Sequence, residues 1–258
     1  MCYCVEEINT TVLQTFYNAH NDMSQSTVRR MRAILHQVFD LAVEDGFMQR
    51  NPTESKRVFI KAKKEKRREA LSGKDLMDIM NSLPCLRDDD RMLMGLLLFT
   101  GMRRGEVLGL RWEHIDWLRK LIYVQQSVTY LNNRPVVGET KSEAGNRVVP
   151  LHRELERILR PQRQLGGFVI GGNEPISEMS FKRTWERIRK TIDLHGATPH
   201  VFRHTYITLA ASSGIDIKTL QAIAGHSDIR MTLDRYAHAM EDKIIAATAQ
   251  IEKSFTPW

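Results

Sequence analysis

Residues that could do chemistry are concentrated in a few separated polar stretches. In TGMRRGE, Arg103 and Arg104 follow a long apolar run and a glycine, a position where an arginine pair is most often a solvated helix end. In HVFRH, His200 and Arg203 are spaced by three residues, so both point to one side of a helix that begins near Pro199. The second stretch therefore offers an imidazole and a guanidinium to one ligand.

A zinc pair is the alternative explanation of HVFRH. His200 and His204 have the four-residue spacing of the metalloprotease motif H-E-x-x-H. The second position of the motif is Val201 here, so the general base of that mechanism is missing. We therefore predict no metal at this helix.

The third stretch, AGHSDIRMTLDRYAHA, contains His226 and Tyr236. Gly225 is expected to end one helix, and Ser227 can cap a following short helix that carries the tyrosine. On this stretch alone, a packed structural tyrosine is the ordinary explanation of Tyr236.

The excess positive charge of the chain is localised. The 258 residues carry a formal net charge of +7, and the segment Lys56–Arg68 alone contains eight basic residues and one acid. A basic block is usually a solvated face, but its position between two structured regions also suits contact with a polyanion. The candidate contact residues are Lys56, Arg57, Lys61, Lys63, Lys64, Lys66, Arg67 and Arg68.

The remaining composition indicates a globular protein of the cytoplasm. The apolar run MLMGLLLFTGM is about half as long as a membrane span, and no secretory leader opens the sequence. The three cysteines lack metal-ligand spacing, and we interpret them as free thiols in a reduced compartment.

The pattern along the chain predicts two unequal domains. Apolar residues recur at helical spacing from Ser26 to Asp45, with Ser26 or Thr27 as the expected cap and Gly46 as the stop. The pair Asn51-Pro52 marks a turn. We predict a helical domain over residues 1–55, a basic linker over 56–70, and a second domain over 71–258 whose first helix is capped by Ser72.

The second domain is expected to be mainly helical with one small antiparallel sheet. The stretch from Leu121 to Leu151 is rich in Val, Ile, Tyr and Thr and is broken by Asn132-Asn133 and SEAGN. Lys141 should lie at the lip of the last turn of this sheet. The acidic run Asp88–Asp90 cannot converge on a metal and is interpreted as a solvated turn.

The order of these stretches resembles the tyrosine recombinase or phage integrase family, in particular integrases of conjugative transposons and temperate phages. TGMRRGE, a lysine in a β-turn, HVFRH, the GH pair and a final tyrosine match the family in sequence order over about residues 71 to 250. The resemblance implies a two-domain DNA clamp and six catalytic residues: Arg103, Lys141, His200, Arg203, His226 and Tyr236. It also implies that Glu106 supports Arg103, whereas Arg104 is not expected to be catalytic.

Phosphodiester chemistry explains these residue types. Two guanidiniums can hold the non-bridging oxygens of a phosphate under attack, because they are planar, forked and permanently charged. Tyr236 would be the nucleophile, with His200 as general base or orienting group, His226 on the phosphate and Lys141 protonating the leaving 5′ oxygen. A 3′-phosphotyrosyl bond would conserve the energy of the broken strand, so no cofactor is expected.

The expected partner is double-stranded DNA at attachment sites of a mobile genetic element. The resemblance further implies a homo-oligomer, a tetramer on DNA, with accessory DNA-bending or directionality proteins and no membrane. The N-terminal region looks shortened, so we expect that an arm-binding domain is missing. A type IB topoisomerase and a DNA-binding module without strand exchange remain the alternative functions.

Overall fold

The structure, a computed structural model, describes residues 4–59, 61, 63, 70–139 and 146–225. The chain divides into two compact units, Met1–Arg68 and Glu69–Trp258. None of the helices within the described residues combines the length and the apolar composition that a bilayer crossing requires.

The first unit is built on two helices, α1 (Thr10–Ala19) and α2 (Gln25–Glu44). Its small core consists of Leu13, Tyr17, Val28 and Phe39. The predicted caps of α2 were wrong, because Ser24 is the cap and its hydroxyl accepts a hydrogen bond from the backbone N–H of Thr27.

The predicted apolar stripe of α2 is only partly buried. Val28 and Ala42 are buried, but Ile34, Val38 and Leu41 are 61%, 47% and 59% exposed. The unit is too small to cover more than a narrow face of the helix. The helical period was therefore predicted correctly, and only part of the apolar positions lie on the buried face.

The loop after α2 is held by Asn51, in keeping with the predicted turn. The Asn51 amide donates to the Asp40 carboxylate at 2.6 Å, and its side-chain oxygen accepts from the backbone N–H of Thr53. This cap starts a short 3-10 helix, Pro52–Glu54.

The second unit is mainly helical, as predicted. Its helices within the described residues are α3 (Gly73–Ser82), α4 (Asp88–Thr100), α5 (Arg104–Gly109), α6 (Arg153–Leu159), α7 (Glu178–Thr191), α8 (Pro199–Ser212) and α9 (Ile217–Ala224). Ser72 caps α3 as expected, with its hydroxyl accepting from the N–H of Asp75 at 3.1 Å. The central helix is α4, in which Leu93, Met94 and Leu96 are fully buried.

The acidic run Asp88–Asp90 is not a solvated turn. It forms the first turn of α4, where carboxylates are favoured by the helix dipole. Asp90 is only 1% exposed, and Arg187 of α7 donates to its carboxylate through Nε at 2.7 Å and through Nη2 at 2.5 Å. An ion pair between the buried Asp90 carboxylate and the partly exposed Arg187 guanidinium therefore joins α4 to α7.

The predicted antiparallel sheet is present as two small sheets. The first has the order β1 (Ile115–Asp116), β2 (Leu121–Val124), β5 (Arg147–Pro150). The second pairs β3 (Gln126–Leu131) with β4 (Arg134–Glu139) through the tight turn at Asn132-Asn133, both of which have positive φ. The register of β2 on β5 pairs Val124 with Arg147.

Candidate active site

Arg103 lies at the junction between α4 and α5. Gly101 ends α4 in the left-handed conformation, with φ of 63°. A Cβ at this position would lie 2.3 Å from the ring of Tyr206, so glycine is required both by conformation and by space. The chain then turns so that Arg103 becomes the residue before α5, with its side chain 47% exposed.

Glu106 fixes the orientation of Arg103. Its carboxylate accepts from the backbone N–H of Arg103 at 2.7 Å and from Nη1 of the same residue at 2.8 Å. Glu106 is buried, which by itself raises its pKa, but hydrogen bonds and charge from Arg147 and hydrogen bonds from Arg103 outweigh burial and lower the pKa overall. The carboxylate is therefore ionised at neutral pH and acts as the anionic partner of both arginines.

Arg203 is held by the ends of two other helices. It lies in the second turn of α8 and is only 3% exposed. Its Nη1 donates to the carbonyl oxygen of Gly101 at 2.7 Å, and its Nη2 donates to the carbonyl oxygen of Ala224. The guanidinium is thus fixed between the C-terminal ends of α4 and α9.

His200 occupies the first turn of α8 and is exposed. Pro199 takes the first helical position, where its missing N–H costs nothing. An open cavity of about 360 Å³ is lined by Arg103, Arg104, Gly105, Thr198, Pro199, His200 and Arg203. The structure therefore brings together three of the six residues predicted to be catalytic.

The other three predicted catalytic residues, Lys141, His226 and Tyr236, lie outside the described residues. The end of α9 is described up to Gly225, which ends the helix in the left-handed conformation with φ of 61°, as predicted. Its carbonyl oxygen accepts from Nη2 of Arg103 at 3.0 Å. The residue preceding His226 is therefore in direct contact with the cavity wall.

Arg104 lines the cavity but is held by aromatic rings. Its guanidinium lies 5.1 Å from the ring centroid of Phe181 and 5.8 Å from that of Tyr130. Cation–π contacts of this kind favour a fixed side chain.

Sequence reasoning missed two residues near the cavity. Arg147 is buried and donates to the Glu106 carboxylate through both Nη atoms, at 3.0 and 2.8 Å. The signal was the alternation in RVVP, which puts Arg147 on the same buried face as Val149. Thr198 precedes α8, and its hydroxyl is buried without a hydrogen-bond partner among the described residues; no sequence pattern distinguished it.

Tyr206, the tyrosine of α8, packs against the backbone of Gly101. Burial raises the pKa of its phenol, against a smaller lowering by the charge of Arg147. Deprotonation is therefore harder at Tyr206 than at an ordinary tyrosine.

Zinc binding by HVFRH gains no support from the described residues. Nδ1 of His204 is hydrogen-bonded to Oγ1 of Thr208 at 3.1 Å. Within the described part of the chain, the group of three potential ligands close enough to share an ion is His36, Asp40 and Glu54 in the first unit. There, His36 and Asp40 already bond to Thr53 and Asn51 and so tie the loop to α2.

Half of the predicted DNA-contacting residues are described, namely Lys56, Arg57, Lys61 and Lys63, and all of them are exposed. The backbone of Lys63 pairs with the chain before α2, since its N–H donates to the carbonyl oxygen of Met23 at 3.0 Å. Lys64, Lys66, Arg67 and Arg68 lie outside the described residues. The two described free cysteines, Cys4 and Cys85, are exposed thiols.

Two solved structures share this fold. The integrase of transposon Tn1549, in complex with a circular intermediate DNA, superposes with a TM-score of 0.72 at 22% identity and covers 96% of this chain and 86% of its own. The lambda integrase dimer bound to a COC′ core site gives a TM-score of 0.63 at 20% identity, with coverage of 92% and 82%. At these identities the similarity establishes the fold alone.

Curated relatives match most of the chain. The tyrosine recombinase XerC-like protein of Caldanaerobacter subterraneus is 26% identical over 267 residues, which is 90% of this chain and 68% of that protein. The ICEBs1 integrase of Bacillus subtilis is 25% identical over 86% of this chain and 64% of its own length. The transposase of Tn916 from Enterococcus faecalis is 28% identical over 61% of this chain and 44% of that protein. The chain thus spans about half to two thirds of the length of these relatives.

The family model described as the phage integrase family matches residues 69–243. This range includes all six residues that the resemblance singled out, and it covers more than half of the sequence. The chain therefore belongs to the phage integrase family of tyrosine recombinases, as its sequence motifs predict.

Proposed function

We propose that this protein is a site-specific DNA recombinase, an integrase that cleaves and rejoins DNA through a 3′-phosphotyrosyl intermediate at Tyr236. The observation that carries the proposal is the convergence of Arg103, Arg203 and His200, from two distant parts of the sequence, on one open cavity. Two fixed guanidiniums beside an exposed imidazole suit a phosphodiester under nucleophilic attack.

Charge stabilisation would come from the two arginines. As a phosphodiester is attacked, negative charge develops on its non-bridging oxygens, and preorganised cationic donors stabilise it without reorganisation. Arg103 is anchored by Glu106, and Arg203 by the carbonyl oxygens of Gly101 and Ala224. Removing one preorganised donor typically costs roughly 10²- to 10³-fold in rate.

Tyr236 needs a proton acceptor. A phenol with a pKa near 10 is only about 0.1% ionised at pH 7, a deficit of roughly 4 kcal/mol. We assign to His200 the role of general base or orienting group, because its side chain is exposed at the cavity. We assign His226 to the phosphate and Lys141 to protonation of the leaving 5′ oxygen.

The substrate we propose is double-stranded DNA carrying attachment sites. The support is the net charge of +7 of the chain and the DNA-bound state of the fold relatives. We further propose assembly as a homo-oligomer, a tetramer on DNA, with accessory DNA-bending proteins, and action in the cytoplasm, where the DNA substrate lies.

The two units would then have different tasks. We propose that residues 1–55 bind the core DNA sequence, that the basic segment Lys56–Arg68 follows the phosphate backbone, and that residues 71–258 carry the chemistry. The matched relatives are recombinases, integrases and transposases, which favours a recombinase over a type IB topoisomerase.

A nicked suicide substrate tests the proposal. On this substrate the wild-type protein should form a covalent adduct, which Tyr236→Phe should abolish while fold and DNA affinity are retained, because only one hydroxyl is removed. Tyr206→Phe is the matched control and should still form the adduct, since Tyr206 is packed against Gly101. Peptide mapping that placed the DNA on any tyrosine other than Tyr236 would contradict the assignment.

A further inference from the structure

Among the described residues, Arg147 makes contacts in two directions. Its side chain is 4% exposed and faces the equally buried Glu106 carboxylate with a forked pair of hydrogen bonds, Nη1 to Oε1 at 3.0 Å and Nη2 to Oε2 at 2.8 Å. Its Nε points elsewhere and donates to the carbonyl oxygen of Ile223 at 2.8 Å. A planar guanidinium can make both sets of bonds at once, whereas an ammonium group cannot reproduce this geometry.

The second direction leads to the C-terminal end of α9. The last carbonyl oxygens of a helix lack partners within the helix and must be satisfied from outside. Here three consecutive carbonyl oxygens, of Ile223, Ala224 and Gly225, accept from Arg147, Arg203 and Arg103 in that order. The end of α9 is therefore fixed by three arginines.

The contact with α9 is close as well as polar. A Cβ on Gly225 would lie 2.8 Å from Cδ of Arg147. The side chain of Arg147 is thus in close contact with Gly225, the residue that ends α9. His226 is the next residue in the sequence.

We propose that Arg147 is a positioning residue for the cleavage reaction. By holding the Glu106 carboxylate it orients Arg103, and by holding the end of α9 it fixes the point from which the chain continues to His226 and Tyr236. Arg147 itself does not line the cavity of Arg103, His200 and Arg203. This proposal rests on the proposed function, because it concerns the alignment of that site.

Loss of Arg147 should make the site sensitive to pH. Burial favours the protonated form of Glu106, and Arg147 is the strongest influence against it. Among the described residues, the other titratable groups that face this cluster are Arg103, the residue before α5, and Tyr206 of α8, whose phenol feels the charge of Arg147. In Arg147→Met the pKa of Glu106 should therefore rise, so that acidification removes the anionic partner of Arg103.

The experiment compares Arg147→Met and Arg147→Lys with Arg187→Met in the full chain. Arg187 is the matched control, because it also forms a forked pair with a buried carboxylate, that of Asp90, but lies between α7 and α4. Two quantities are measured: hydrogen exchange of the peptide covering residues 217–225, and single-turnover adduct formation on the nicked substrate between about pH 5.5 and 8.5.

We expect exchange at the end of α9 to accelerate about tenfold or more in Arg147→Met and to remain unchanged in Arg187→Met. Adduct formation should fall roughly 10- to 100-fold, since misplacement by about 1 Å can cost 10²-fold. The loss should be larger at acid pH and partly recovered at alkaline pH. Arg147→Lys should restore the wild-type pH profile, because it keeps a charge at Glu106, but should leave the end of α9 loosened.

The proposal would be overturned if Arg147→Met and Arg187→Met showed the same hydrogen exchange at residues 217–225 and the same rate of adduct formation. If Arg147→Met does not fold, hydrogen exchange is measured in Arg147→Lys instead. Protection of residues 217–225 equal to that of the wild-type protein would then count against a positioning role. If the wild-type protein forms no adduct, the proposed function fails, whereas hydrogen exchange still decides whether Arg147 fixes α9.

Discussion

Replacement of Glu106 by glutamine should destabilise the second unit strongly, because it removes the anion from between two guanidiniums. The pair with Arg147 is buried on both sides, at 4% and 3% side-chain exposure, whereas Arg103 is 47% exposed. Breaking a buried pair by removing one partner costs about 3 to 5 kcal/mol, and an exposed pair contributes little. Glutamine keeps one acceptor oxygen, so we expect a loss near the lower limit, about 3 kcal/mol.

Equilibrium unfolding in denaturant at pH 7 measures this loss, which corresponds to a melting temperature lower by roughly 6 to 12 °C. Glu113→Gln is the control, because Glu113 pairs with Arg111 at the surface and should cost at most about 1 kcal/mol. The double variant Glu106→Gln with Arg147→Met should lose less than the sum of the two single losses, since neither charge is then left unpaired.

In the Glu106→Gln variant, the free energy of unfolding should depend less steeply on pH in the acid range. The pKa of Glu106 is lowered in the folded protein from the ordinary value of 4.5, so its contribution is complete above pH 4.5 and is lost as pH falls through the lowered folded pKa. Glu106→Gln should lack this component of acid unfolding. A cost below about 1 kcal/mol at pH 7, with no coupling to Arg147, would refute the reasoning that Glu106 is a buried anion shared by two arginines.

Two further predictions concern the backbone and the DNA, and a third concerns metal ions. Gly101→Ala should lower the melting temperature and the rate of adduct formation together, because the new Cβ would meet the Tyr206 ring at 2.3 Å and the residue has φ of 63°; wild-type stability of this variant would contradict it. Replacing four lysines of the segment Lys56–Arg68 with glutamine should weaken binding to specific and unrelated DNA alike, and should reduce the slope of log K against log salt by about 0.9 for each phosphate that the protein no longer neutralises. An unchanged slope in a salt titration would exclude contact between these lysines and the phosphate backbone of DNA. Finally, excess chelator should leave strand cleavage within a few-fold of its starting rate, because charge stabilisation is assigned to Arg103, Arg203 and Lys141; strict dependence of the chemical step on Mg²⁺ would disprove that assignment.

Local signals in the sequence were sufficient for the elements that surround the site. Ser72, Pro199 and Gly225 each act through the backbone of one helix end, so their effects could be predicted from residue type and position. The mainly helical fold with a small antiparallel component and the family were likewise predicted correctly.

Tertiary pairing could not be predicted in the same way. Asp90 was taken for a solvated residue because its partner, Arg187, is remote in the sequence, and Arg147 escaped notice because its carboxylate partner lies on another element. In α2, periodicity revealed a helix but not which side its small unit would cover, and the apolar residues Ile34, Val38 and Leu41 are exposed. The assigned roles of the catalytic residues stay predictions.

The three arginines at the end of α9 also define a balance of charge. Among the described residues, Arg103, Arg147 and Arg203 bring three positive charges to this junction, while Glu106 supplies one negative charge. The C-terminal end of a helix adds about half a negative charge at most. Counted over these described residues, the junction carries an excess of positive charge, and its guanidiniums repel one another. A phosphate entering the cavity would relieve that repulsion, so that the same contact that binds substrate would also complete the internal electrostatics of the fold.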